Sequence, residues 1–259
     1  MALPGGRLIA VLRSRLKFHA AMGIDHYPAN SDLQRFFELT DGKTGVPAGK
    51  LTAGEAVLPL CGDGGDGGQE KLALLRQEAA GCRLCHLSGE KAGTVCGAGS
   101  PAAAFMVVGD WSLQRKDDFI PDVCFGPDED VMLWNMMAAI DLRKDDIFVT
   151  NCMKCCPGGQ AAPDSRSEKS CFTFLEREIA LVRPAIICAM GDIAARMLTG
   201  SSEPLSRLRG KFVRYRYQSK HELFVMPTYH PRFLLRHSEM KKAAWLDLQA
   251  IRKKLVAIR

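Results

Sequence analysis

The stretch Arg183-Pro184-Ala185-Ile186-Ile187-Cys188-Ala189-Met190-Gly191 decides the fold. Pro184 lacks a backbone N–H and ends the helix before it. Upstream, Ser167 to Arg183 has helical periodicity, with Glu176, Arg177 and Glu178 on its polar face. Downstream, Ala185 to Met190 is an unbroken apolar run of strand length, and Gly191 opens the next helix. A strand that is apolar on both faces and lies between helices belongs to a parallel sheet covered on both sides.

Working outward, three further segments have the same character: Ala104 to Gly109 (AFMVVG), Asp146 to Thr150 (DIFVT) and Leu223 to Pro227 (LFVMP). Helical patterns run over 69–80, 130–140 and about 239–255. The expected fold is three-layer α/β/α around a central four-stranded, mainly parallel sheet. Ligands of such sheets sit at the carboxyl ends of the strands. Gly62 to Gly68 (GDGGDGG) has linker composition. We therefore expect a helical N-terminal extension with its Gly-rich linker over 1–68 and an α/β domain over 69–259.

Bulk composition narrows the function. No apolar run reaches the roughly 18 residues of a membrane span. Met1 to Lys17 lacks the apolar core and cleavage site of a signal peptide, so a cytoplasmic protein is expected; the chain is also expected to be monomeric. The net charge is +6, yet Ser201 to Arg259 alone holds 14 Lys or Arg against 4 Asp or Glu. That basic quarter suits an anionic partner, nucleic acid above all. The chain has 10 cysteines, and in a reducing compartment metal ligation or burial must account for them.

Cys82-Arg83-Leu84-Cys85 presents two thiols from one tight turn, and Cys155 and Cys171 stand apart across a Pro/Gly-rich loop. Four thiolates suit zinc or an iron–sulfur cluster. Cys156 is the rival to Cys155, and Cys188, inside a strand, reads as simple burial. The strand ends add Gly109-Asp110-Trp111, then Thr150-Asn151-Cys152, then Thr228-Tyr229-His230-Pro231-Arg232-Phe233-Leu234-Leu235-Arg236. An Asp, an Asn and a His would converge at one sheet edge, beside the loop Cys124-Phe125-Gly126.

These segments, in their order and spacing, resemble the iron–sulfur, family-4 type uracil-DNA glycosylases. The anchors are GCRLC, FMVVGD, CFG, TNCMKCCP, Cys171 before FTFLEREI, RPAIICAMG, LRG at 208–210 and TYHPRFLLR, spanning about 81–255. The resemblance implies a [4Fe–4S] cluster on Cys82, Cys85, Cys155 and Cys171, with zinc as the alternative. It implies that uracil-containing DNA is the partner and that a flipped uracil is cut from its sugar in base-excision repair. Asn151 would read the uracil edge, Phe125 would stack on the base, and Gly109 would line the pocket. His230 would face uracil O2, and Asp110 would stand where the family has Glu. Leu234 or Leu235 would wedge into the base stack, and Arg232, Arg236 and Lys241 would meet phosphates.

The chain departs from the family pattern at three points. Gly109-Asp110-Trp111-Ser112-Leu113 replaces a GEAPG-like loop, Cys124 replaces a proline before Phe125, and Cys156 replaces the arginine of KCRP. The alternatives are a glycosylase for another deaminated base, a weak or inactive nucleic-acid-binding relative, and an unrelated four-cysteine redox or zinc protein.

Overall fold

In a computed structural model of the chain, which describes residues 67–120, 123–157, 163–217 and 221–258, the run after Pro184 is a strand buried at every position. The expected extension over 1–68 lies outside the described residues apart from its last two. The strands are β1 Lys91–Thr94, β2 Ala98–Gly99, β3 Phe105–Gly109, β4 Ile147–Asn151, β5 Cys155–Pro157, β6 Ile186–Met190, β7 Val213–Tyr217 and β8 His221–Thr228. The helices are α1 Gly68–Gly81, α2 Leu87–Glu90, α3 Pro127–Ala139, α4 Ser165–Val182, α5 Asp192–Thr199, α6 Leu205–Leu208, α7 Pro231–Arg236 and α8 Lys241–Ile258.

The main sheet has the order β2-β4-β3-β6-β8-β7. Its centre, β4-β3-β6-β8, is parallel and is the four-stranded sheet the apolar runs foretold. Antiparallel edges β2 and β7 extend it to six strands. On one face Met106, Val108, Phe148, Ile187, Ala189 and Val225 pack against α4 and α5. Strand alternation turns the intervening residues to the other face, where α8 lies against β6 and β8 and buries Leu248, Ile251 and Leu255.

Helix α4 corrects one expectation. Asp164 caps it, accepting from the Ser167 N–H at 2.8 Å while its own N–H donates to Ser167 Oγ. From there Cys171, Phe174, Leu175, Glu178, Ile179 and Val182 form the buried stripe. Glu178 is thus inside the protein, not on the polar face; it sits seven residues from Cys171, two helical turns along the same stripe.

The four parallel strands end level. Gly109 pairs with both Asn151 and Met190, and Met190 with Thr228. This register brings the three polar strand ends to one edge of the sheet.

Candidate functional site

The loops leaving that edge are zipped together by their backbones. The Cys152 N–H donates to Gly109 O at 2.8 Å, Met153 to Asp110 O at 3.0 Å and Leu113 to Phe125 O at 2.9 Å. Asp130, near the start of α3, holds the Cys124-Phe125-Gly126 loop by accepting the N–H groups of Cys124 and Phe125 at 2.8 and 2.7 Å.

Gly109, Phe125, Asn151 and His230 meet in this frame. The Phe125 and His230 ring centres are 4.7 Å apart. Gly109 is needed there: a Cβ on it would lie 2.3 Å from the Phe125 ring and 2.7 Å from Asn151 Oδ1. Asn151 Nδ2 donates to the Cys124 carbonyl at 2.6 Å, which fixes which end of the amide is nitrogen. Among the described residues, Asn151 Oδ1 and His230 Nε2 are buried and find no hydrogen-bond partner. Such groups are costly to leave unpaired in a native interior. His230 Nδ1 accepts from the Arg232 N–H at 3.1 Å, so the ring proton belongs on Nε2. Burial first, and Arg232 second, hold the imidazole well below its ordinary pKa. His230 is therefore a neutral, buried donor.

Asp110 joins them from the end of β3. Its Oδ1 accepts the Ala194 N–H at the N-terminus of α5, at 2.8 Å. Gly191, at φ +111°, lets the carboxylate approach, since a Cβ there would lie 2.2 Å from Asp110 Oδ2. Burial pushes the Asp110 carboxyl up to about 7, against the pull of the Ala194 N–H. Asp110 and His230 both line an open cleft of about 460 Å³, whereas Phe125 and Asn151 are fully buried behind it.

The residues expected to meet DNA divide. Leu235 and Arg236 are exposed on α7, and Lys241, opening α8, is partly exposed. Leu234 is wholly buried, which leaves Leu235 as the leucine that can reach a base stack. Arg232 lines the cleft but is largely turned inward. Its guanidinium stacks 5.0 Å over Trp111, donates to the Trp111 carbonyl at 2.8 Å and faces Glu129 at 3.6 Å.

On the far side of Asn151, the thiols of Cys82, Cys85, Cys155 and Cys171 line one pocket with Met153, Lys154 and Phe174. The Cys155 thiol is pushed up to about 12, first by burial and then by Cys171, with Cys85 and Cys82 adding to it. The Lys154 N–H donates to Cys171 Sγ at 3.1 Å. Cys156 faces the other way: its sulfur accepts the Gln114 N–H at 3.3 Å and lies 3.4 Å from Ser112 O. Among the described residues, no group of three or more His, Cys, Asp or Glu side chains is arranged to hold a metal ion.

Between the pockets lies a network that the sequence reading missed. Lys154 and Glu178 are 2% and 3% exposed and pair at 2.6 Å, so each is neutralised in the interior. Lys154 Nζ also donates to Thr150 Oγ1 at 2.8 Å and to the Asn151 carbonyl at 2.7 Å. Glu178 accepts from Thr150 Oγ1 and the Gly97 N–H. A second unforeseen network explains LRG: Arg209 and Thr228 both donate to the buried Asp247, at 2.6 and 2.7 Å, tying α8 to the end of β8.

The sequence model of the uracil DNA glycosylase superfamily matches residues 96–249. The chain is also similar to the type-4 uracil-DNA glycosylase of Sulfurisphaera tokodaii, 27% identical over 71% of this chain and 84% of that one. The type-4 uracil-DNA glycosylase of Archaeoglobus fulgidus is 27% identical over 70% of this chain and 92% of its own. The matched span holds both strand-end loops, the Asn151–Glu178 network and His230, and the chain belongs to the uracil DNA glycosylase superfamily, within the DNA glycosylase class of hydrolases.

Proposed function

We propose that the protein is a uracil-DNA glycosylase that takes uracil out of the DNA stack and hydrolyses its N-glycosidic bond in base-excision repair. One observation carries the reading: a buried acceptor without a partner, Asn151 Oδ1, and a buried donor without a partner, His230 Nε2, both stand against the Phe125 ring. Uracil offers what each lacks. Its N3–H donates to Asn151 Oδ1, its O4 accepts the second Nδ2 proton, and its O2 accepts from His230 Nε2. A base entering from the cleft takes the place against Phe125 that His230 now fills.

Cleavage moves the N1–C1′ bonding pair onto the base while a water oxygen bonds to C1′. Negative charge develops at O2, and the neutral His230 Nε2–H, once its ring has given up its place to the base, donates to O2 and stabilises that charge. Asp110, ionised, faces the developing sugar cation and takes the proton of the attacking water. The uracil anion leaves and gains a proton from solvent. Because the reaction needs no electron transfer, the thiol pocket has no part in the bond-breaking step.

Cys82, Cys85, Cys155 and Cys171 would hold a [4Fe–4S] cluster. All four donors are thiols around a shared pocket, and a cubane gives each thiolate its own iron, whereas zinc draws four sulfurs to within about 2.3 Å of one point. When bound, the cluster supplies a cross-link between the 82–85 turn and the segment that follows Asn151. Such thiols stay reduced in the cytoplasm, the compartment this reading assigns.

Two measurements test these assignments. Anaerobically purified protein is expected to leave an abasic site in an oligonucleotide with a single uracil, and Asn151→Ala is expected to slow that reaction about tenfold or more through lost hydrogen bonds. No abasic site in either single- or double-stranded substrate would overturn the glycosylase reading. Serine at Cys82, Cys85, Cys155 or Cys171 is expected to bleach the cluster's visible absorbance. Serine at Cys156 should leave it intact, and the opposite result would reassign the fourth ligand.

A further inference from the structure

The cleft in front of Asp110 and His230 continues along a row of flat side chains with no part in the chemistry above. Tyr229 precedes α7, Phe233 lies within it and His237 is its C-cap. Tyr229 and Phe233 stack with ring centres 4.9 Å apart and planes 26° apart, and Phe233 and His237 at 4.3 Å and 29°. The Arg209 guanidinium lies 5.5 Å from the Tyr229 ring, beyond the inner end of the row. All three rings line the cleft together with Asp110 and His230. Arg209 lies beside Tyr229, Phe233 is stacked between two rings, and His237 ends the row. Its side chain is 48% exposed, with Glu239 at 3.4 Å from its Nδ1 edge.

We propose that this row is a stacking subsite for an unpaired nucleobase next to the excised nucleotide, with the base laid on the outer face of His237. Three observations support an unpaired DNA strand as the occupant. The ring planes are near enough to parallel for a base to continue the stack, and stacking is indifferent to base identity because every base has a π-face. The row is continuous with the cleft that holds Asp110 and His230, so a strand seated in one is led into the other. Arg236, exposed in the same cleft, supplies the cation for the backbone, and Lys241 and Lys242 follow it in the sequence. A paired base has its faces taken by its neighbours in the duplex, so the subsite favours single-stranded DNA.

The inference rests on the nucleic-acid reading above, and the test separates the two because its probe contains no uracil. Fluorescence anisotropy of a labelled oligothymidylate, alone and annealed to its complement, is measured with the wild-type protein, His237→Ala, Phe233→Ala and His237→Trp. The alanine variants are expected to bind the single strand about tenfold more weakly and the duplex with little change. His237→Trp should bind the single strand at least as tightly as wild type. Equal losses on both probes, no loss on either, or a tryptophan variant that behaves like alanine would overturn the proposal. A wild-type protein that releases no uracil would overturn the glycosylase reading and leave this comparison standing.

Discussion

Asp110→Asn is expected to slow uracil release about a hundredfold to ten-thousandfold, the usual contribution of a positioned acid or base, and at the same time to make the folded protein more stable above neutral pH. Both effects have one cause. Burial raises the Asp110 carboxyl from its ordinary 3.8 to about 7. Below pH 4 the group is protonated in folded and unfolded chains alike and shifts no equilibrium. Between about 4 and 7 the folded chain keeps a proton that the unfolded chain has lost, so stability falls as pH rises. Above 7 the penalty is complete, about 4 kcal/mol for a shift of this size. Asparagine never ionises and escapes it, while its Oδ1 can still accept the Ala194 N–H. Catalysis has the opposite dependence: the carboxylate form rises through pH 7, and the wild-type rate should rise with it. Urea denaturation of the two proteins across pH, set beside single-turnover cleavage, checks both halves. A variant no more stable than wild type at pH 8 would show that the carboxylate is better solvated than its burial implies.

The departure of the first loop from GEAPG acquires a physical reading from the same region. Proline would have stiffened that loop; here side chains do so. Gln114 donates through Nε2 to Ser112 Oγ and the Val123 carbonyl, and its Oε1 accepts the Ile120 N–H. Cys156, in place of the family's arginine, takes the Gln114 N–H. Trp111, in place of a small residue, carries the Arg232 guanidinium on its face. Cys156 and Ser112, both at positions that depart from the family pattern, contact each other, and side chains rather than a proline brace the loop after Asp110.

What could be read from the sequence followed periodicity and punctuation. Pro184, the glycines at strand ends and the all-apolar runs placed β3, β4, β6 and β8 to within about two residues at each end, and the parallel order then set Asp110, Asn151 and His230 on one edge. Strand β7 was missed although Val213-Arg214-Tyr215-Arg216-Tyr217 alternates as an edge strand should. β2 has only two residues and carries no periodic signal. The inward turn of Arg232 and Leu234 was hidden for another reason. His230 is the N-cap of α7, with Pro231 its first residue, and the rotation of so short a helix depends on what it packs against. Glu178 is a charged residue on the buried stripe that begins at Cys171, and the partner that allows this, Lys154, lies 24 residues away in sequence. No local pattern announces such a pair.

That pair should be the most damaging place to cut the protein with one substitution. Lys154→Met is expected to destabilise the fold by about 3–5 kcal/mol, the cost of leaving one member of a buried ion pair uncompensated. Glu178 would be left with only Thr150 and the Gly97 N–H to face it. The ammonium does more than neutralise. It holds the Asn151 carbonyl at 2.7 Å while the N–H of the same residue holds Cys171 Sγ at 3.1 Å. One residue therefore braces the end of β4 from the thiol side, and its loss should lower uracil release in protein that is still folded. The double variant Lys154→Met, Glu178→Leu removes both charges and should recover much of the lost stability, since paired buried charges contribute little net stability over apolar groups of similar size. It should recover little of the activity, because the Asn151 carbonyl still lacks its donor. Denaturant titrations of the two single variants and the double variant, with cleavage rates measured on each, separate the two roles. Additive losses of stability in the double variant would mean that Lys154 and Glu178 act independently, and full recovery of cleavage would mean that Lys154 has no hold on Asn151.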